Sequence, residues 1–384
     1  MISSQQPVRT IPASGDLLAS REGTERSLSP SNRTFSERRS FRSEHHADGG
    51  NTCPARPKPA RVSVIIANYN YGRFLKDCIW SVLSQDYEAK ELIVVDDGSK
   101  DNSREVIQSF GDLVIPIFKP NGGQGSSWNA GIAKASGEFI ILLDSDDLLE
   151  PGVLGVYAQA FADTRLVRCQ GVMRVVDRYG TRTGELIPGV PPGEGELATT
   201  VVERGPYGYC SVPTSGNAWR ANFLKDILPL PEESGAADVL LFPLAPFYGT
   251  TMRVPSPTAH YRIHGTGITH VKRAFNIENI RRTVVAHDRL CDWTVRMANR
   301  KGVVIDPLVW HRRDWRVATL RYFLAEEDQT EKPSVREHLG AIRFIKDPAR
   351  RAGLLFAILA IRTMPRQIAL KIARKAIHLE QMAG

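Results

Sequence analysis

From Arg61 onward the chain alternates short apolar runs with stretches of helical period. Val62-Ser63-Val64-Ile65-Ile66-Ala67 is a β-branched run between turn residues, the pattern of a strand buried on both faces. Phe74, Leu75, Cys78, Ile79, Val82 and Leu83 recur at helical spacing and predict a helix over 71–83. A second buried strand is expected at 92–95. A helix capped by Asp101 should run through Phe110, and a third strand should cover 113–118. The loop Asn121-Gly122-Gly123-Gln124-Gly125 leads into a small-residue helix over 126–135, and Phe139-Ile140-Ile141-Leu142-Leu143 reads as a fourth strand. Buried strands alternating with helices predict an α/β fold with a doubly wound, mostly parallel sheet. Past Pro151 the pattern predicts one strand over 166–176, a Gly- and Pro-rich surface loop over 180–195, and a helix over 236–247 ended at Gly249. An extended stretch over 252–263 follows, then mostly helix after residue 270.

Residues 1–60 carry few large apolar side chains and are rich in Ser, Arg, Gly and Pro. Such a segment buries too little surface to offset its ordering entropy, so a disordered tail ending in a Pro-rich linker is expected. The proposed division is therefore 1–60 tail, 61–266 main domain and 267–384 helical extension. Charge separates the same pieces. The chain totals +8, but the three pieces carry +3, −6 and +11. An acidic middle suits divalent cations, and a basic tail suits an anionic surface. The five cysteines are odd in number and form no CxxC, which fits a reducing compartment better than a disulfide framework. No apolar run reaches the ~18–20 residues that span a bilayer, and the first 60 residues hold no apolar signal core. A cytoplasmic location is expected, with attachment to the inner membrane face left open.

Polar residues gather directly after the strands, where open parallel sheets bind ligands. Asn68-Tyr69-Asn70, Asp96-Asp97-Gly98-Ser99 and Asp144-Ser145-Asp146-Asp147 each follow a strand. Side chains i and i+2 on extended backbone share a face, so Asp144 and Asp146 can hold one hard cation such as Mg²⁺ or Mn²⁺. A lone D-x-D is as readily a solvated acidic turn, with Asp147 capping a helix; its place after four apolar strand residues favours the metal. Asp96 serves equally well as a turn residue, and Asp97 is a candidate acceptor for a nucleobase N–H. The 121–125 loop could cradle a phosphate, but on its own a plain flexible connection explains it better. Asp238 stands alone among apolar neighbours at a helix start, so it is either an N-terminal cap or a site residue. His264 is a single histidine near a strand end, for which packing is the ordinary explanation.

These motifs, in this order, resemble the family 2 glycosyltransferases. The resemblance rests on residues 62–70, 94–99, 121–125, Asn129-Ala130-Gly131, 143–147, Ser215-Gly216-Asn217, Ala237-Asp238 and Tyr261-Arg262-Ile263-His264. It covers about 61–266 and implies the GT-A fold, a nucleotide-sugar donor (a UDP-linked one by preference) and a divalent metal. Ala67 and Tyr69 would line the base pocket and Asp97 would recognise the base. Gln124, Asn129 and Ser145 would belong to the donor-binding set. Asp144 and Asp146 would hold metal and diphosphate, and His264 would help them. Asp238 would be the catalytic base of an inverting transfer. Two positions depart from the pattern: Ala67 stands where Pro or Thr is common, and Ala237 where many relatives carry Glu.

The implied acceptor is a glycan or a lipid-linked acceptor of polysaccharide or cell-envelope synthesis. Residues 352–361 are apolar but only ten long, with Arg350 and Arg351 before and Arg362, Arg366, Lys371, Arg374 and Lys375 after. Such a segment either lies in a membrane interface or packs on the main domain. A nucleotidyltransferase would want a Gly-rich basic loop after the first strand, which 68–73 does not supply. A non-catalytic sugar or nucleotide binder has no need of Asp238. Trp310 and Trp315 beside arginines are better explained by helix packing than by base stacking, so no nucleic-acid partner is expected.

Overall fold

Backbone with both faces covered by helices favours apolar side chains, and the first strands largely follow this, with Ser63 and Glu91 as a buried polar pair that bond each other. In the computed structural model β1 (Val62–Asn68), β2 (Lys90–Asp96) and β4 (Phe139–Asp144) are buried almost throughout. The structure describes residues 59–231, 237–264, 276–306, 310, 314–343, 345 and 347–383. The expected tail over 1–58 lies outside the described residues, as do the side chains of 237–238 and 378–383.

β1 pairs in parallel with β2 on one side and β4 on the other. β3 (Ile115–Phe118) extends the β2 side. Beyond β4 come β9 (Asn217–Arg220), β6 (Leu166–Gln170) and β10 (Thr250–Arg253), giving a seven-stranded sheet in the order β10-β6-β9-β4-β1-β2-β3. β9 alone runs against its neighbours. The helix α1 (Gly72–Leu83) covers one face through Phe74, Leu75, Cys78, Ile79 and Val82. α3 (Gln124–Lys134) covers the other through Trp128 and Ile132. The small residues of α3 have a steric reason: a Cβ on Gly131 would sit 2.4 Å from Ile65 Cγ2. α2 (Ser103–Gln108) is shorter than expected. Its N-cap is Asn102 rather than Asp101, which stands one residue earlier, accepts Ser103 N–H at 3.0 Å and ties the start of α1 through Gly72 N–H at 2.9 Å.

A second sheet was not foreseen. β5 (Leu148–Leu149), β11 (Ala259–Arg262), β7 (Met173–Val176) and β8 (Arg182–Ile187) pair in the order β5-β11-β7-β8. The single strand expected over 166–176 breaks at Gly171 into β6 and β7. The stretch 252–263 breaks at its proline-rich middle into β10 and β11. Both segments cross from one sheet to the other side by side, since β10 pairs with β6 and β11 with β7, both in parallel. An apolar run records burial but not which sheet buries it, so the crossing left no periodic trace. The expected loop over 180–195 contains β8, an exposed edge strand whose polar side chains hid it.

The C-terminal part is helical as expected: α8 (Ile277–Arg300), α9 (Trp315–Glu327), α10 (Val335–Ile342), α11 (Pro348–Thr363) and α12 (Arg366–Ala383). α7 (Ala237–Leu244) lies against α8, and Leu290, Trp293 and Met297 join the core beside Trp128 and Trp219. Trp310 is fully buried and donates its indole N–H to Val201 C=O at 2.8 Å, a packing role. Among the described residues, no helix is long and apolar enough to cross a membrane.

Candidate active site

Parallel strands end together, so the polar turns after β1, β2 and β4 meet on one edge. Register sets Ala67 beside Asp144 on β4 and beside Val95 on β2. Tyr69, two residues on, is 41% exposed at that edge. Asn68 donates its amide to Asp96 Oδ1 at 3.1 Å and to Ser99 Oγ at 3.2 Å. Asp96 also accepts from Ser99 N–H at 3.2 Å, so it is the turn residue of the pair.

Asp97 is buried and already supplied with donors. Gly122 N–H reaches it at 3.0 Å, Gly123 N–H at 2.8 Å, and Lys119 Nζ forms an ion pair with it. A carboxylate has about four lone-pair sites, so little is left for a nucleobase. The same bonds engage the Gly122 and Gly123 amides of the 121–125 loop with Asp97, in keeping with a structural connection. Gly98 makes the close approach feasible: its φ is +76°, and a Cβ there would lie 2.8 Å from Asn121 N.

The turn after β4 is held differently. Asp147 N–H bonds Asp144 C=O at 3.0 Å. Asp147 is no helix cap but a buried anchor, accepting Ser215 Oγ–H at 2.7 Å and Arg262 N–H at 3.0 Å. Ser215 Oγ in turn accepts Asp144 N–H at 3.1 Å, and Arg262 Nε donates to Asp146 C=O at 2.8 Å. Burial pushes the Asp147 carboxyl well above the usual carboxylate range, with the Asp146 charge adding to it. The Cys78 thiol, whose Sγ lies 3.6 Å from Asp144 C=O, is raised first by burial and then by Asp147, Asp146 and Asp144. It is an inert packing group.

With the turn fixed, the Asp144 and Asp146 carboxylates remain half-buried. Asp144 Oδ1 accepts from Gln124 Nε2 at 2.7 Å, which ties it to the first residue of α3. Gln124 Oε1 is buried and receives no hydrogen bond from the described residues. Asp146 Oδ2 meets His264 Nε2 at 2.8 Å. The His264 ring is wedged against Phe74 and Tyr71, with centroids 4.8 and 5.4 Å away. The crossing into the second sheet brings that histidine here.

The structure therefore gathers Ala67, Asp144, Asp146, Gln124 and His264. It turns Asn129 elsewhere: that side chain donates to Leu230 C=O at 2.9 Å and accepts Leu230 N–H at 2.7 Å, pinning the chain shortly before α7. Ser145 is buried within the turn. Asp238 sits in the first turn of α7, and its side chain lies outside the described ones. Sequence reasoning assigned no role to Ser215, Arg262 or Lys119. The first two stand inside motifs that were noticed, and only their partners reveal what they do. Lys119 carried no signal.

Among the described residues, no cluster of three or more His, Cys, Asp or Glu side chains is spaced to enclose a metal. A hard cation in a diphosphate site needs no such cage: one or two carboxylates suffice, and phosphate and water oxygens complete the shell. The Asp146 carboxylate and His264 imidazole form an O,N donor pair already in contact, so the residues fit a divalent cation.

The profile of glycosyl transferase family 2 matches residues 63–211. The chain is 35% identical over 211 residues to an uncharacterized glycosyltransferase of Nostoc sp., covering 53% of this chain and 65% of that protein. It is 38% identical over 97 residues to glycosyltransferase GlyG of Streptococcus pneumoniae, covering 24% of this chain and 32% of the relative. Chondroitin synthase of Pasteurella multocida matches at 37% over 111 residues, 28% of this chain and 12% of that one. The chain thus spans less than two thirds of each of these relatives. Among solved structures, S. aureus TarS 1–349 in complex with UDP-GlcNAc superposes with a TM-score of 0.48 at 18% identity, covering 84% of this chain and 91% of that one. The mannosyltransferase PcManGT from Pyrobaculum calidifontis, in complex with GDP-Man and Mn²⁺, does so at 0.45 and 17%, covering 84% and 88%. The acidic turns expected from the strand pattern fall inside the matched segment: residues 63–211 are the stretch that resembles glycosyl transferase family 2.

Proposed function

We propose that this protein is an inverting glycosyltransferase that moves a sugar from a nucleotide-sugar donor to a hydroxyl of a glycan or lipid-linked acceptor. A UDP-linked donor is the first choice. The observation that carries the reading is the meeting of Asp144, Asp146, Gln124 and His264 at the carboxyl edge of the sheet, beside Ala67. Asp146 and His264 would hold a divalent cation, which when bound offsets charge on the departing diphosphate. Gln124 keeps Asp144 in place and offers its free Oε1 to the donor. Ala67 and Tyr69 offer the base a small wall and an aromatic one. Asp238, at the start of α7, takes the proton of the acceptor hydroxyl while that oxygen bonds the anomeric carbon and the bond to the diphosphate breaks. The test is a screen of nucleotide sugars with Mn²⁺ or Mg²⁺, reading release of nucleoside diphosphate. One donor should turn over, and Asp238→Asn should still bind it yet lose transfer by about 10²–10⁴-fold. Turnover of no donor, or near-wild-type transfer by that variant, would overturn the reading.

A peripheral membrane position is the second part of the proposal, supported by the two faces of α11. Leu354, Ile358 and Ile361 pack inward. Phe356 is 73% exposed, and Leu355, Leu359, Met364 and Ile368 are exposed with it. Arg351, Arg366, Lys371 and Arg374 are also exposed on these two helices. An apolar stripe flanked by cations fits an anionic lipid surface. Phe356→Asp with Leu359→Asp should abolish sedimentation with phosphatidylglycerol vesicles without lowering the melting temperature. Unchanged sedimentation would remove the membrane from the proposal.

A further inference from the structure

The C-terminal half of α1 borders a surface cavity of about 450 Å³ that the donor reading does not use. Its walls come from α1, β5, β11 and the turn between β7 and β8. Two aromatic rings stand open to it: Trp80, 50% exposed, and Tyr179, 79% exposed. Solitary exposed aromatics are ordinary on a surface, but two lining one concavity require more explanation. A second observation supplies it. Gln85 lines the same cavity and is 5% exposed. Its Nε2 is committed to Ser81 C=O and Glu150 C=O, both at 2.9 Å, while its Oε1 receives no hydrogen bond from the described residues. That oxygen is itself shielded from solvent, so the polar groups a ligand meets first are the exposed ones. Asp77 adds an exposed carboxylate. His260 adds an imidazole fixed by Glu150, with Nε2 and Oε1 2.9 Å apart.

The occupant must present an apolar face to the rings and hydroxyls to the acceptors. An acyl chain would strip water from Asp77 without replacing it. A phosphate would meet the Asp77 charge. A pyranose answers both demands: its axial C–H bonds form an apolar face that lies on an aromatic ring, and its rim hydroxyls both donate and accept. We propose that this cavity binds one pyranose unit of a glycan, apart from the nucleotide. The location has a consequence for the acidic turn. Arg262 lines the cavity, and the same residue bonds Asp147 through its N–H and Asp146 C=O through Nε. A sugar held here lies against the residue that clamps the Asp146–Asp147 turn.

The test is saturation-transfer NMR on the full chain, with glucose, galactose, mannose, N-acetylglucosamine and their β-linked disaccharides as probes and no nucleotide present. At least one should receive saturation, and both Trp80→Ala and Tyr179→Ala should weaken its binding by about tenfold, the share of one stacked ring. Trp80 also touches Phe110, with centroids 5.7 Å apart. If Trp80→Ala fails to fold, Tyr179→Ala, exposed on its turn, decides alone. No transfer to any probe, or unchanged binding in the folded variants, overturns the proposal. UDP binding measured on the same samples separates the two readings: UDP without sugar sinks this site only, and sugar without any nucleotide sinks the donor reading only.

Discussion

After β2 the chain turns through Asp96 and Asp97; after β4 it turns through Asp144, Asp146 and Asp147. The two strands flank β1, and both turns lie on the same edge. At the first, both carboxylates are occupied by the protein's own groups: Asp96 by Asn68 and Ser99, Asp97 by Lys119, Gly122 and Gly123. At the second, Asp147 alone takes on the anchoring, through Ser215 and Arg262. Asp144 and Asp146 instead meet side chains, Gln124 and His264. Carboxylates of similar appearance in the sequence thus differ in what they bond: Asp96, Asp97 and Asp147 accept backbone amides, whereas Asp144 and Asp146 meet the Gln124 and His264 side chains. The division follows from which donors surround each one.

The comparison breaks most visibly at Asp146. Asp146→Asn keeps a hydrogen-bonding oxygen near His264 but removes the charge that suits a cation. Transfer should fall by about 10²–10³-fold in kcat/KM, the scale of losing one charge-stabilising group, while thermal unfolding stays with wild type. An unfolding midpoint that drops together with activity would place Asp146 among the fold-holding carboxylates instead.

Much of this arrangement was legible beforehand, for a physical reason. β1, β2 and β4 sit in the middle of a covered sheet, so most side chains on them are apolar and the polar turn that follows stands out. The turns could be read, but not their wiring. Nothing in the chain around Asp97 says that Gly122 and Gly123, about 25 residues on, will aim their amides at it. Asn129 looked like a donor-site residue until its amide was found paired with Leu230, 101 residues away. His264 was legible only through the motif around it, since the crossing of the two segments into the second sheet is what delivers it to Asp146. The exposed β8 was missed because an edge strand with polar side chains lacks the alternation that marks a strand.

Asp147 sharpens the contrast from the other side. Asp147→Ala leaves the Arg262 N–H and the Ser215 hydroxyl buried without their acceptor, at about 1–3 kcal/mol each, so about 2–6 kcal/mol of stability should go, measured by urea unfolding. Asp147→Asn keeps an acceptor and should cost less. The two variants also differ in pH response. Because the folded state raises the Asp147 pKa, folding favours its protonated form. Its contribution is present in full below the ordinary carboxylate range and declines as pH rises through the folded value. Asp147→Asn should flatten that part of the stability profile. An unaltered profile would mean that another group sets it.

The smallest expected effect falls on Asp97, and it separates two roles that the sequence could not. If this carboxylate clamps the 121–125 loop, Asp97→Asn trades a charge-assisted pair with Lys119 and one of the glycine amide bonds for weaker contacts, a loss of about 1–2 kcal/mol. Every nucleoside diphosphate should then bind more weakly by a similar factor, because the loosened loop carries no preference among bases. If instead the carboxylate reads the base, the variant should lose its preferred nucleotide selectively and narrow the gap to the others. Competition binding with UDP, GDP, ADP and CDP against wild type and Asp97→Asn distinguishes the two by the ratio of affinities rather than by their size. The bonds from Lys119, Gly122 and Gly123 favour the uniform outcome.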